Sequence, residues 1–133
     1  MNAIKEEIVK YKFEFKEKGS LFAIKKVCTL YEKLIKTERE YVDEYKSFMK
    51  KVFVFINKEI EVIERESWEI NDYDYMMNNI TDKSQEIDFQ INKLKQIQKL
   101  VNFINGKTHF NYNDYDDKID EVIWQYRALR KIK

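Results

Sequence analysis

Cys28 and His109 are the only residues of their kinds in this sequence. A thiolate is a strong nucleophile, and an imidazole beside it can take its proton. Cys28, however, stands in a row of apolar residues spaced by seven, with Leu21 and Ile35 as its row neighbours. That is the setting of a core cysteine. A Cys28–His109 pair would require one partner to leave the core. His109 sits beside Phe110 with no second histidine and no nearby cysteine, so the ligand set of a zinc site is missing.

Carboxylates offer the next chemistry. Residues 113–121 read NDYDDKIDE, which lacks the central glycine and the twelfth-position glutamate of an EF-hand loop. These acids fit the start of a helix, where the macrodipole favours negative charge. Glu59 with Glu66, and Asp82 with Glu86, can share a helix face, but no E-x-x-H motif accompanies them and a di-iron bundle site lacks its ligands. No Walker, dinucleotide-binding or nucleophile-elbow motif occurs. Two glycines, Gly19 and Gly106, cannot build a phosphate-cradling loop. The sequence reads as a non-enzyme, with no catalytic residue, metal or cofactor.

The elements that carry these residues read as helices. From Ser20 to Asn105 there is neither glycine nor proline. Leu21, Cys28, Ile35, Val42, Met49, Ile56, Ile63 and Ile70 recur at intervals of seven. Beside them run Val27, Leu34, Tyr41, Phe48, Phe55 and Val62, and a mixed third row of Ile24, Tyr31, Glu38, Tyr45, Val52 and Glu59. Three rows make the wide stripe of a helix inside a bundle. The spacing predicts one long helix over about 20–65, with a weak point at Lys36-Thr37, where Thr37 and Glu40 have the spacing of a capping box. Asn and Asp clusters predict a reversal with a short helical piece over 67–85. A helix follows from Ser84 to Asn105 on the face of Ile87, Ile91, Leu94, Ile97, Val101 and Ile104, with Gly106 as its stop. After a loop, a last helix carries Ile119, Val122, Ile123, Tyr126 and Leu129.

The first stretch fits two periods. Val9, Tyr11, Phe13 and Phe15 alternate with charges as in a strand, whereas Ile4, Ile8, Tyr11 and Phe15 step as in a helix. No other segment alternates well enough to pair with a strand. A helix over Asn2–Lys18, ended by Gly19 and followed by Ser20 as N-cap, is the expectation. It leaves Val9 and Phe13 on the opposite side, to be sandwiched between neighbours or exposed; sandwiching is the expectation. The fold class is all-α: an elongated helical bundle in a single domain, 1–133, with one long central helix flanked by three shorter ones. Homodimerisation along the long helix would cover sides that the shorter helices leave bare.

Composition then limits partners. Charged residues make up 37% of the chain and aromatics 15%, with a formal net charge of +1, so there is no global attraction to nucleic acid or membrane. The longest apolar run, Val52 to Ile56, falls far short of the roughly 20 residues that span a bilayer. Charges interrupt the N-terminal stretch, so it does not read as a signal peptide. The lone cysteine suits a reducing compartment, and the expected location is cytoplasmic. Lysine outnumbers arginine by 21 to 4, a bias read as the mark of an AT-rich genome.

The charge is unevenly placed. Residues 61–92 carry nine acidic and two basic side chains. The leading expectation is a non-catalytic protein-protein interaction module, in its narrower form a phage or mobile-element inhibitor of a host or defence complex. Its expected contacts are Trp68, Asp72, Tyr73, Asp74 and Tyr75 in the acidic stretch and Phe110, Tyr112 and Tyr115 in the aromatic one. A nucleic-acid-associated protein using Lys25, Lys26, Lys33 and Lys36 is the alternative, although acids are interspersed among these lysines. A structural homo-oligomer is the third.

Overall fold

The structure, a computed structural model, describes the backbone of residues 2–77, 84–111 and 113–131, and the side chains within 3–68, 85–111 and 117–129. The described residues are all-α. They form α1 (Asn2–Lys18), α2 (Leu21–Leu34), a 3-10 turn (Arg39–Tyr41), α3 (Val42–Met77), α4 (Ser84–Lys107) and α5 (Asn113–Lys131).

The helical period wins in the first stretch. Ile8 is buried, and Ile4, Tyr11 and Phe15 pack against the core. The Phe15 ring meets Phe48 and Phe55 edge-on, at 5.7 and 5.1 Å. Gly19 ends α1 at φ 61, its N–H bonding to the Phe15 carbonyl at 2.8 Å. The Ser20 hydroxyl then caps α2 by accepting the Ala23 N–H at 3.1 Å. Sandwiching of the far side of α1 is not what the structure shows. Val9 and Phe13 are 67% and 64% exposed, because α1 is an outer helix packed on α2 and α3 through one face only.

Gly19 is doubly constrained. Its left-handed backbone disfavours any side chain, and a Cβ there would meet the Phe55 ring at 3.2 Å. Gly19→Ala is expected to destabilise the chain by about 1–2 kcal/mol, read as a lower urea midpoint at unchanged slope.

The long helix over 20–65 is corrected: it is two helices. α2 ends at Leu34, and α3 starts afresh at Val42 and runs 36 residues, about 54 Å. The break is hydrogen-bonded at each step. Thr37 and Glu38 direct their N–H groups at the Leu34 carbonyl, at 3.2 and 2.8 Å, and the Thr37 hydroxyl donates to the same oxygen at 3.2 Å. Thr37 therefore closes α2 and does not cap a new helix. Glu38 leaves helical geometry at φ −128, ψ 83, and Lys5 holds its carboxylate at 3.4 Å.

Two further boundaries differ from expectation. The reversal expected over 67–85 starts later, since α3 carries through Asn71, Asp72 and Asp74 to Met77. Each Asn or Asp costs a helix only about half a kcal/mol, which a long packed helix absorbs. Gly106 is not the stop of α4, which runs to Lys107. Instead the Thr108 N–H and hydroxyl both donate to the Ile104 carbonyl, at 3.2 and 2.6 Å.

Side-chain pairs fix the arrangement. α1 and α2 form one antiparallel hairpin, and α4 and α5 another. Lys93–Glu59 at 3.3 Å and a short Gln90–Glu66 hydrogen bond set α4 antiparallel to α3. Lys118 and Gln125 both reach the Glu64 carboxylate, at 3.0 and 3.5 Å, and the Tyr126 hydroxyl donates to the Ile63 carbonyl. Two turns of α5 thus converge on one turn of α3, and the helices cross there. The core between the hairpins holds Ile24, Tyr31, Leu34, Met49, Ile56, Ile60, Ile63, Leu94 and Ile97.

Candidate binding cleft

The turn between α2 and α3 and the turn between α4 and α5 meet at one end of the bundle. Glu32, in the last turn of α2, joins them. Its Oε2 accepts the Tyr45 hydroxyl at 2.8 Å and the His109 backbone N–H at 3.1 Å. Its Oε1 faces His109 Nδ1 at 2.7 Å. The Glu32 side chain is only 15% exposed, so these partners replace most of its water. The Phe110 N–H donates to the Thr108 hydroxyl at 3.1 Å, which turns the Phe110 ring onto Tyr45 at 4.9 Å, edge to face. Tyr45 in turn stacks on Tyr31 at 4.9 Å. Burial, more than any neighbouring charge, pushes the Tyr45 and Tyr31 phenols well above their usual range.

In front of this assembly lies an open cleft of about 630 Å³, lined by Ile35, Lys36, Arg39, Val42, Tyr45, Lys46, His109 and Phe110. Its floor is apolar and its rim is cationic. Lys36, Arg39 and Lys46 have no carboxylate partner among the described residues. Glu32, the acid nearest the cleft's His109, is already committed to that residue and to Tyr45.

The residues singled out from sequence scatter. Phe110 and Lys36, expected in two different functions, line this one cleft. Trp68 is 58% exposed near the far end of α3. Asp72, Tyr73, Asp74 and Tyr75 lie on α3 and Tyr115 on α5, but their side chains, like all of Tyr112, lie outside the described residues. The lysines have different surroundings. Lys25 lies over the Phe103 ring at 5.7 Å and Lys26 over Phe22 at 5.5 Å. Lys33 is exposed, and Lys36 stands beyond the helix end. Part of the acidity in 61–92 is spent internally, Glu64 on Lys118 and Glu66 on Gln90.

Cys28 is fully buried, its thiol donating to the Met49 sulfur at 3.6 Å. Burial pushes that thiol up to about 12, which keeps it protonated and unreactive. Among the described residues, no group of three or more His, Cys, Asp and Glu is placed to hold a metal ion. No helix there is long and apolar enough to cross a membrane.

Sequence reasoning missed Ile35, Arg39, Val42, Tyr45 and Lys46 as cleft residues. A continuous helix would have spread them along a rod. The available signals were the weak point at Lys36-Thr37 and the polar Glu38 interrupting an apolar row. Comparison with protein-family models, with curated proteins and with solved structures gives no match to this chain.

Proposed function

We propose that this chain is a non-catalytic protein-binding module that seats a segment of a partner in the cleft between its two turns. The cleft carries the reading: an open volume of about 630 Å³ with Ile35, Val42 and Phe110 at its base and unpaired cations at its mouth. Binding pockets commonly enclose roughly 300–1,000 Å³ around an apolar base with a few polar groups. A protonated, buried Cys28 gives no support to nucleophilic chemistry. Trp68, exposed near the far end of α3 and outside the cleft lining, serves as the control position.

Affinity capture tests this. The tagged chain, with Phe110→Asp, Ile35→Asp and Trp68→Ala variants checked for folding by circular dichroism, is used as bait in nuclease-treated lysate washed at high salt. One stoichiometric protein is expected on the parent chain and on Trp68→Ala, and its loss is expected on the two cleft variants. Retention by both cleft variants would take the cleft out of the reading. Nucleic acid recovered only without nuclease and salt would favour the lysines instead.

A further inference from the structure

The lining of the cleft selects among partners. Lys36, Arg39 and Lys46 present three positive charges that form no ion pair with a described carboxylate. The largely covered carboxylate behind them, Glu32, is engaged by His109 and Tyr45. The floor offers Ile35, Val42 and Phe110. Tyr45 itself is closed to a ligand ring, being 1% exposed, stacked against Tyr31 and bonded through its hydroxyl.

We infer that the occupant is an acidic segment of the partner carrying one apolar anchor side chain. This rests on the cleft being the protein-binding site proposed above. The carboxylates of the segment meet the three rim cations, and the anchor rests on Ile35, Val42 and Phe110. Complementary charge sets encounter rate and excludes wrong partners, while the desolvated anchor supplies affinity.

Two other occupants fit this lining less well. Single-stranded nucleic acid uses open ring faces for its bases and a track of cations for its backbone. Here Tyr45 is covered, and Lys26 and Lys33 lie on α2 outside the cleft lining, so the cations form no extended track. A second copy would offer its own acidic stretch, but Glu64 and Glu66 of that stretch are bonded within the chain.

The test is a titration of the isotope-labelled full chain, followed by amide chemical shifts. Three capped peptides serve as probes: Glu-Asp-Phe-Asp-Glu, the same peptide with lysine at each acidic position, and the acidic peptide with alanine for phenylalanine. The acidic phenylalanine peptide is expected to saturate, with shifts confined to residues 35–46 and 108–111. The alanine peptide is expected to bind about tenfold more weakly or worse, and the lysine peptide not to saturate. Lys36→Glu combined with Arg39→Glu and Lys46→Glu is expected to weaken the acidic peptide by about tenfold or more, and added salt to weaken binding to the parent chain.

Equal binding of the lysine peptide, or undiminished binding to the charge-reversed chain, would overturn the inference. So would tighter binding of a single-stranded oligonucleotide, which would assign the cleft to nucleic acid. Shifts at these amides on concentrating the chain alone would assign it to a second copy. Failure of the underlying reading looks different: the peptide saturates the cleft, but the bait captures no protein. A captured protein whose contact segment is neutral or basic would leave the binding module standing and overturn only the acidic occupant.

Discussion

Tyr45→Ala is expected to be among the most damaging single changes to this chain, at about 3–5 kcal/mol. Tyr45 lies in the core with two contacts to α2 and one to the turn between α4 and α5. Its ring stacks on Tyr31 of α2 and meets Phe110 of the second turn, and its hydroxyl donates to Glu32. Alanine leaves a large void and removes one of the donors that compensate a poorly hydrated carboxylate. A domain of this size is held by about 5–15 kcal/mol in all, so roughly a fifth or more of its stability is at stake. Tyr45→Phe separates the two contributions. It keeps the ring and removes only the donor, at an expected cost of about 1–3 kcal/mol. Urea unfolding of both variants checks this. Equal losses for phenylalanine and alanine would mean that the hydroxyl, and not the ring, carries the site.

Alkaline pH is the second large lever. The Cys28 thiol is raised from 9.0 to about 12, and the Tyr31 and Tyr45 phenols are raised as well. In each case burial disfavours the charged form. The unfolded chain releases these protons near the ordinary values, while the folded chain still holds them. In that window the unfolded state binds fewer protons, so stability falls as pH rises. Cys28 contributes about 1.4 kcal/mol of loss per pH unit from roughly pH 9 to its folded value. The two tyrosines steepen the fall above roughly pH 10. Below pH 9 the contribution is fully present. Urea midpoints at a series of pH values, for the parent chain and Cys28→Ala, read this directly. Cys28→Ala is expected to lose stability more shallowly between pH 9 and 10, and parallel curves would refute the assignment.

These effects depend on a core that was largely legible in the sequence. Among the described residues, most apolar members of the rows through Cys28, Tyr31 and Leu34, and the face of Ile87, Ile91, Leu94, Ile97, Val101 and Ile104, are buried as their spacing requires. The α1 boundaries and the Gly19–Ser20 junction followed from local chemistry alone. The break between α2 and α3 did not, for a geometric reason. Leu34 ends one helix, Val42 begins the next, and the seven residues between them equal one repeat. The apolar rows therefore resume in phase, as though the helix had never stopped. Periodicity reports which residues are buried, and it is silent about whether the backbone between them is continuous. The cleft was hidden for the same reason, since six of its eight lining residues come from the break and the start of α3. Val9 and Phe13 were misjudged because sequence gives a face and not the number of neighbours around it.

The Glu32–His109 bond joins residues 77 apart in sequence, whereas each hairpin brings together helices adjacent in the chain. This separation orders the events of folding. Closing a short connection costs little entropy and is fast, so the α1–α2 and α4–α5 hairpins can form early, each on its own. The clasp between Glu32 and His109 can form only when the two hairpins have met, α2 against α4. It is expected to form late, after the rate-limiting barrier. Weakening it should therefore speed unfolding and leave the folding rate nearly unchanged.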